Sequence, residues 1–261
     1  MSKFFHKAAP VHYPVLSSDV QRLLERGAVD PCLSDTHGVL RNPPTHADPW
    51  ENSPTFEEEL ERVVNARLGV LDDRSLGSYV RLPTIFKHLT MQQACDLVRD
   101  DSPGALARMY VLHLLETGVP LNEKLFGHVA GKPFLERAVL LLHLCAAVPS
   151  IVGKTTFAWK WAMGRLRPEE ALHAVTSGTL SVNRELLEKI RRLQARNPHS
   201  NMTAYREGCP LHPACPAMHA SSAQTALLTA TFLQLTPEQH ADAQRFDYSV
   251  AYFRVLAGVH Y

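Results

Sequence analysis

Between Ala138 and Val152 the chain carries its most apolar stretch, about fifteen residues interrupted by His143 and Pro149. A bilayer's hydrocarbon core needs about 20 consecutive apolar residues, so this run is too short to span one. The rest of the protein must hide it, and it predicts a central buried helix over residues 133–147 with other helices packed around it.

The remaining sequence supplies those helices. Ser53-Pro54-Thr55 opens into Phe56, Glu57, Glu58, Glu59 and Leu60, with acids in the first turn, where the helix dipole favours them. Thr90 predicts a start with Met91, Ala94, Leu97 and Val98 on one face. Ser102-Pro103 predicts another, with Ala105, Met109, Leu112 and Leu115 buried and Gly118 and Pro120 at its end. Residues 181–196 are amphipathic, with Leu186, Leu187, Ile190 and Leu193 on one side. A small-residue helix is expected from Ser221 to Leu235. Thr236-Pro237-Glu238-Gln239 is a strong start for a last helix. No segment alternates as a half-buried strand would, and there is no internal repeat. The fold class read from this pattern is all-α, a helical bundle over residues 56–261.

Residues 1–55 read differently. Asn42-Pro43-Pro44-Thr45-His46-Ala47-Asp48-Pro49 suits neither a helix nor a central strand, which predicts an irregular arm laid over the surface. The first residues lack the apolar run of a secretory leader, so the expected location is cytoplasmic, with no membrane attachment. The formal net charge of +1 over 261 residues argues against a nucleic-acid partner. Five scattered cysteines argue against a disulfide framework, and the Cys209-x5-Cys215 spacing fits no common zinc pattern.

With so little net charge, an anion site must come from local clustering, and three segments offer it. In the first, Lys160 and Arg167-Pro168 are spaced at nearly two helical turns, so both cations can reach one anion from the same side, with Pro168 ending the helix. In the second, Pro210-Leu211-His212-Pro213-Ala214-Cys215-Pro216-Ala217-Met218-His219 makes a stiff turn. It places His219 at the mouth of the helix that follows, where free N–H groups attract anions and an imidazole can do acid–base work. In the third, Arg254 and His260 lie six apart on one helical side, and Gly258 allows a close approach of backbone or ligand. Taken singly, each segment also fits a plain role: a solvated basic face, a loop histidine, a helix end.

Read in order, Lys160-x6-Arg167-Pro168, Pro216-x-x-His219 and Arg254-x5-His260 resemble the signature of the vanadium-dependent haloperoxidases and of the related phosphatidic acid phosphatases and bacterial acid phosphatases. The similarity covers about residues 135–261. Lys160-Trp161, Leu166-Arg167-Pro168-Glu169, His212-Pro213-x-x-Pro216 and Leu256-Ala257-Gly258-Val259-His260-Tyr261 look like the algal and cyanobacterial bromoperoxidase type.

The resemblance implies a vanadate cofactor. His260 would bond the metal, and Lys160, Arg167, Arg254 and the Met218 backbone N–H would hold its oxygens. His219 would act as acid–base group, and Lys160 would polarise bound peroxide. His212 would either sit near the halide or brace the loop, and Phe157 and Trp159 would line the pocket or pack in the core. Hydrogen peroxide and a halide, bromide first, would give hypohalous acid for a small organic acceptor. The resemblance also implies a homodimer.

The same pocket can serve a soluble acid phosphatase through a phosphohistidine at His260. A catalytically silent relative is the third reading, because the sequence departs from the family. Ala217-Met218 stands where the family has Ser-Gly, which removes one hydroxyl donor. The family pattern continues to an Asp four residues past the metal histidine, whereas this sequence stops at Tyr261. That predicts either a fragment or a His260 that finds its ring partner elsewhere.

Overall fold

The computed structural model describes residues 50–69, 82–124, 133–196, 203, 209–210 and 212–261. Nearly all of the surface arm read over residues 1–55 lies outside them. The described residues form an all-α fold, with one isolated antiparallel bridge, Leu121 to Leu233, as its extended pairing.

The helix starts follow the local chemistry. Helix α1, Phe56–Leu68, carries Glu57, Glu58 and Glu59 in its first turn and closes at Gly69 with φ 71°. In α2, Met91–Asp100, the Thr90 hydroxyl accepts from the Gln93 N–H at 3.2 Å while the Gln93 side chain accepts from the Thr90 N–H at 2.8 Å. Ser102 caps α3, Pro103–Glu116, by accepting from the Ala105 N–H at 3.2 Å.

The buried face of α3 is not the one predicted. Leu106, Ala107, Tyr110, Val111 and Leu114 are buried, whereas Leu112 is 44% exposed and Ala105, Met109 and Leu115 are only half-buried. This helix is apolar on most sides, so spacing alone cannot choose the inner face. Tyr110 chooses it, because its hydroxyl donates to Asp242 at 3.0 Å in the interior.

The apolar run lies in a helix much longer than expected, α4, Phe134–Met163, which continues through Pro149. Proline removes one N–H and leaves the Cys145 carbonyl without its helical donor. There α3 crosses closely: a Cβ at Gly104 would stand 3.0 Å from Ala146 Cα and 3.1 Å from the Cys145 carbonyl oxygen. Gly164, at φ 59°, ends α4, so the helix stops before Arg167. Pro168 then begins α5, Pro168–Thr176, rather than ending a helix as predicted. The amphipathic segment forms α6, Arg184–Arg196, and buries Leu186, Ile190 and Leu193.

The single helix expected from Ser221 to Leu235 is two helices, α7, Met218–Ser221, and α8, Thr225–Phe232. The break is set from a distance. Asp247 accepts from the N–H groups of Thr225 and Ala226 at 2.9 and 2.7 Å, and so caps a fresh helix start that its own neighbours cannot cap. Asp247 belongs to α9, Pro237–Leu256, which Thr236 opens with a second capping box.

Two apolar clusters fill the interior. The larger joins α2, α3, α4, α8 and α9 around Phe86, Tyr110 and Phe246, with the Tyr110 and Phe246 rings 4.5 Å apart. The smaller joins α1, α5 and α6 around Leu60, Ala171 and Ile190. The last turn of α9 touches both: Phe253 and Leu256 belong to the first, and Val255 packs on the second. Among the described residues no helix is long and apolar enough to cross a membrane.

Candidate functional site

Buried positive charge gathers where α4, α5 and α9 end or begin. Lys160, in the last turn of α4, is 0% exposed, and Arg167, the N-cap of α5, is 1% exposed. Arg254, in the last turn of α9, is 6% exposed, and His260, beyond it, is 4% exposed. Burying three cations this deeply is unfavourable unless each is well partnered or holds an anion.

The route by which Lys160 and Arg167 meet differs from the predicted one. They do not share a helix. The left-handed turn at Gly164 folds the chain back, and the guanidinium arrives from a different backbone direction. His260 likewise lies off the helix that carries Arg254. Gly258, at φ 75°, reverses the chain: its N–H donates to Val255 O at 2.9 Å and the Val259 N–H donates to Arg254 O at 3.1 Å. The glycine serves this helix stop.

Backbone carbonyls of the two non-helical segments meet the cations. Lys160 Nζ donates to Pro213 O and Ala214 O, both at 3.0 Å. Arg167 Nε donates to His212 O at 2.8 Å, and Nη1 donates to Val259 O at 2.6 Å. Nη1 also lies 3.0 Å from His260 Nε2, and Nη2 lies 2.9 Å from His212 Nδ1. A guanidinium can only donate, so both ring nitrogens accept, and the His260 proton sits on Nδ1 and the His212 proton on Nε2. His212 Nδ1 is also 3.3 Å from Pro213 O; a ring nitrogen cannot accept and donate at once, and the shorter contact to the donor-only partner decides.

Titration follows from this crowding. Burial first, then the charges of Arg167 and Arg254, lowers Lys160 to about 7. Burial, with Arg254 among the opposing charges, brings Arg167 to about 10. Burial, Arg167 and Lys160 push His212 down to about 4. His260 is held well below the usual imidazole range by burial and then by Arg167, Arg254 and Lys160. The cluster therefore combines buried basic side chains with neutral imidazoles near pH 7.

His219 does not stand at the mouth of a long helix. It is the second residue of the four-residue α7, and Nε2 donates to Asp101 O at the C-terminal end of α2, at 3.4 Å. Burial and the Arg254 charge push it down to about 3, so it is neutral at pH 7 and Nδ1 carries its lone pair. Met218 directs its side chain onto Gly153 of α4, where a Cβ would come within 2.9 Å of its terminal methyl. Ala217, the N-cap of α7, has no hydroxyl to cap it. Phe157 and Trp159 lie outside the described side chains.

Arg167 thus contacts His212 and His260 directly, and Lys160, Arg254 and His219 lie within electrostatic reach of His260. Sequence reasoning missed Arg165 and Tyr261. Tyr261 donates its hydroxyl to Leu166 O at 3.0 Å, its ring lies 4.8 Å beneath the Arg165 guanidinium, and Arg165 pairs with Glu59 of α1. The hint available was position: Arg165 lies inside the first motif and Tyr261 directly follows His260.

The donor set fits a tetrahedral oxyanion with one nitrogen ligand. Lys160 retains a third ammonium proton, Arg167 retains an Nη2 proton, and Nε2 is the His260 ring nitrogen that carries the lone pair, facing Arg167 at 3.0 Å. Among the described residues no group of three His, Cys, Asp or Glu side chains is arranged to hold a metal ion. Compared with known proteins, the chain matches no family model, no curated protein and no solved structure.

Proposed function

We propose that this pocket binds vanadate and that the chain is a vanadate-dependent haloperoxidase, oxidising bromide with hydrogen peroxide to hypobromous acid for a small organic acceptor. The observation that carries the reading is the convergence of buried Lys160, Arg167, Arg254 and His260 from separate segments, two of them non-helical, onto one place. A helix scaffold has no need of such a cluster. Its burial is costly, and an oxyanion would offset that cost.

In this reading His260 would hold the metal through Nε2, and Lys160, Arg167 and Arg254 would neutralise the oxygens. Bound vanadate would supply a Lewis acid that takes up hydrogen peroxide and makes one of its oxygens electrophilic towards halide. The net reaction consumes one peroxide, one bromide and one proton, and yields hypobromous acid and water. His219 handles the protons, with Nδ1 as the atom that accepts one from hydrogen peroxide. Lys160, charged below about pH 7, would supply positive charge to the bound oxyanion. His212 is tied to Arg167 by two contacts and therefore braces the loop and the guanidinium.

A second reading, a catalytically silent relative, draws on Ala217 and on the carbonyls that already engage Lys160 and Arg167. The test is bromination of a phenolic dye by the purified chain with vanadate, peroxide and bromide. Turnover that His219→Ala lowers supports the haloperoxidase. Phosphate release from a monoester, inhibited by vanadate, would replace it with a phosphatase. Bromination that appears only in the double variant Ala217→Ser, Met218→Gly would establish the silent reading.

A further inference from the structure

Residues 165–167 tie both other site segments together, through two backbone carbonyls and the Arg167 guanidinium. The Arg165 carbonyl accepts from the Ala214 N–H at 2.8 Å, which holds the loop whose carbonyls meet Lys160. The Leu166 carbonyl accepts from the Tyr261 hydroxyl at 3.0 Å. Arg167 itself donates to Val259 O and His260 Nε2. The Arg165 guanidinium lies 4.8 Å over the Tyr261 ring while paired with Glu59 of α1.

His260 thus sits between two anchors. On one side the turn at Gly258 fixes the backbone; on the other Tyr261 is held by ring and hydroxyl. A histidine in a non-helical segment has two free χ angles and a backbone able to swing. Its ring stays opposite Arg167 only if the residues on both sides are held.

We propose that Tyr261 is a positioning residue for this site, a clip that sets the His260 ring against Arg167, with Arg165 and Glu59 as its seat. This rests on the oxyanion reading for its effect on binding, although the ring geometry it controls exists without any ligand. The clip joins α1 to the site. Glu59 lies in the half of the chain that carries none of the motifs, and it acts through the guanidinium that holds the tyrosine ring. A cation over an aromatic face and one neutral hydrogen bond are together sufficient to choose between ring orientations.

The experiment uses the full chain, with His260 observed by nitrogen NMR and phosphate as the anion probe. In the unchanged protein the His260 ring shows one tautomer, with the proton on Nδ1. Tyr261→Phe keeps the ring and loses the hydroxyl. It is expected to mix the His260 tautomers and to weaken phosphate binding about fivefold, the worth of one neutral hydrogen bond. Tyr261→Leu is expected to do both more strongly, and Arg165→Lys, which keeps a cation over the ring, to do less than Arg165→Met. Unchanged His260 signals in Tyr261→Phe and Tyr261→Leu would overturn the proposal, as would an equal loss of phosphate affinity with those signals unmoved. If the unchanged protein binds no phosphate, the oxyanion reading fails, and the tautomer signals still decide whether Tyr261 sets the ring.

Discussion

The interior around Phe246 and the interior around Arg167 are both buried, yet they are held by opposite means. Near Phe246, aromatic and aliphatic side chains from five helices share the burial, and many partial contacts back each other up. Near Arg167, a few directed hydrogen bonds donated by Lys160 and Arg167 to the carbonyls of residues 212–214 and 259 satisfy groups that would otherwise be very costly to bury. The apolar interior is a matter of quantity, and the polar one of placement. Substitution should therefore damage stability in one and ligand binding in the other.

The largest expected effect is this crossover. Arg167→Ala should lower oxyanion affinity by about 100-fold or more, because charge-assisted hydrogen bonds to a buried anion are lost. Phe246→Ala should cost about 3–5 kcal/mol of stability in chemical denaturation while the folded fraction binds anion as before. If Phe246→Ala weakens binding as much as Arg167→Ala does, the two interiors are not separable.

A change of pH should sharpen the contrast next. Lys160 is lowered to about 7, so the unfolded chain binds more protons than the folded one between about pH 7 and 10.5. The stability of the ligand-free protein should rise with pH across that window, while anion affinity falls through about pH 7 as the ammonium is lost. At the acid end, His212 and His219 stay neutral down to about 4 and 3. Each therefore adds a slope of up to about 1.4 kcal/mol per pH unit, with stability lost as pH falls below about 6.5. Denaturation midpoints across pH 4–10 with phosphate present and absent would check both signs. Parallel curves would contradict a ligand that needs Lys160 charged.

The smallest effect belongs to the helical frame. Ser102→Ala should cost about 1 kcal/mol by removing the cap of α3, with no change in binding.

That cap was legible in the sequence, as were the starts at Thr90 and Thr236, because capping is written in residues three apart. The buried face of α3 was not, since Tyr110 faces inward to meet Asp242, over a hundred residues away in the chain. The break between α7 and α8 was hidden for the same reason, its cap being Asp247. At the site, the identities of Lys160, Arg167, Arg254, His212, His219 and His260 could be read, but the geometry could not. Periodicity placed Lys160 with Arg167, and Arg254 with His260, on shared helices, whereas Gly164 and Gly258 end those helices and make the meetings through turns. The partners of Lys160, and two of those of Arg167, are carbonyl oxygens, which every residue has and no sequence pattern marks.

The most direct test of a single oxyanion pocket is calorimetric titration of the purified chain with vanadate, with phosphate as competitor and His260→Ala as control. The account predicts one site per chain, competition by phosphate, and loss of vanadate binding in His260→Ala with the fold retained. Absence of binding in the unchanged protein, or equal binding in His260→Ala, would contradict it.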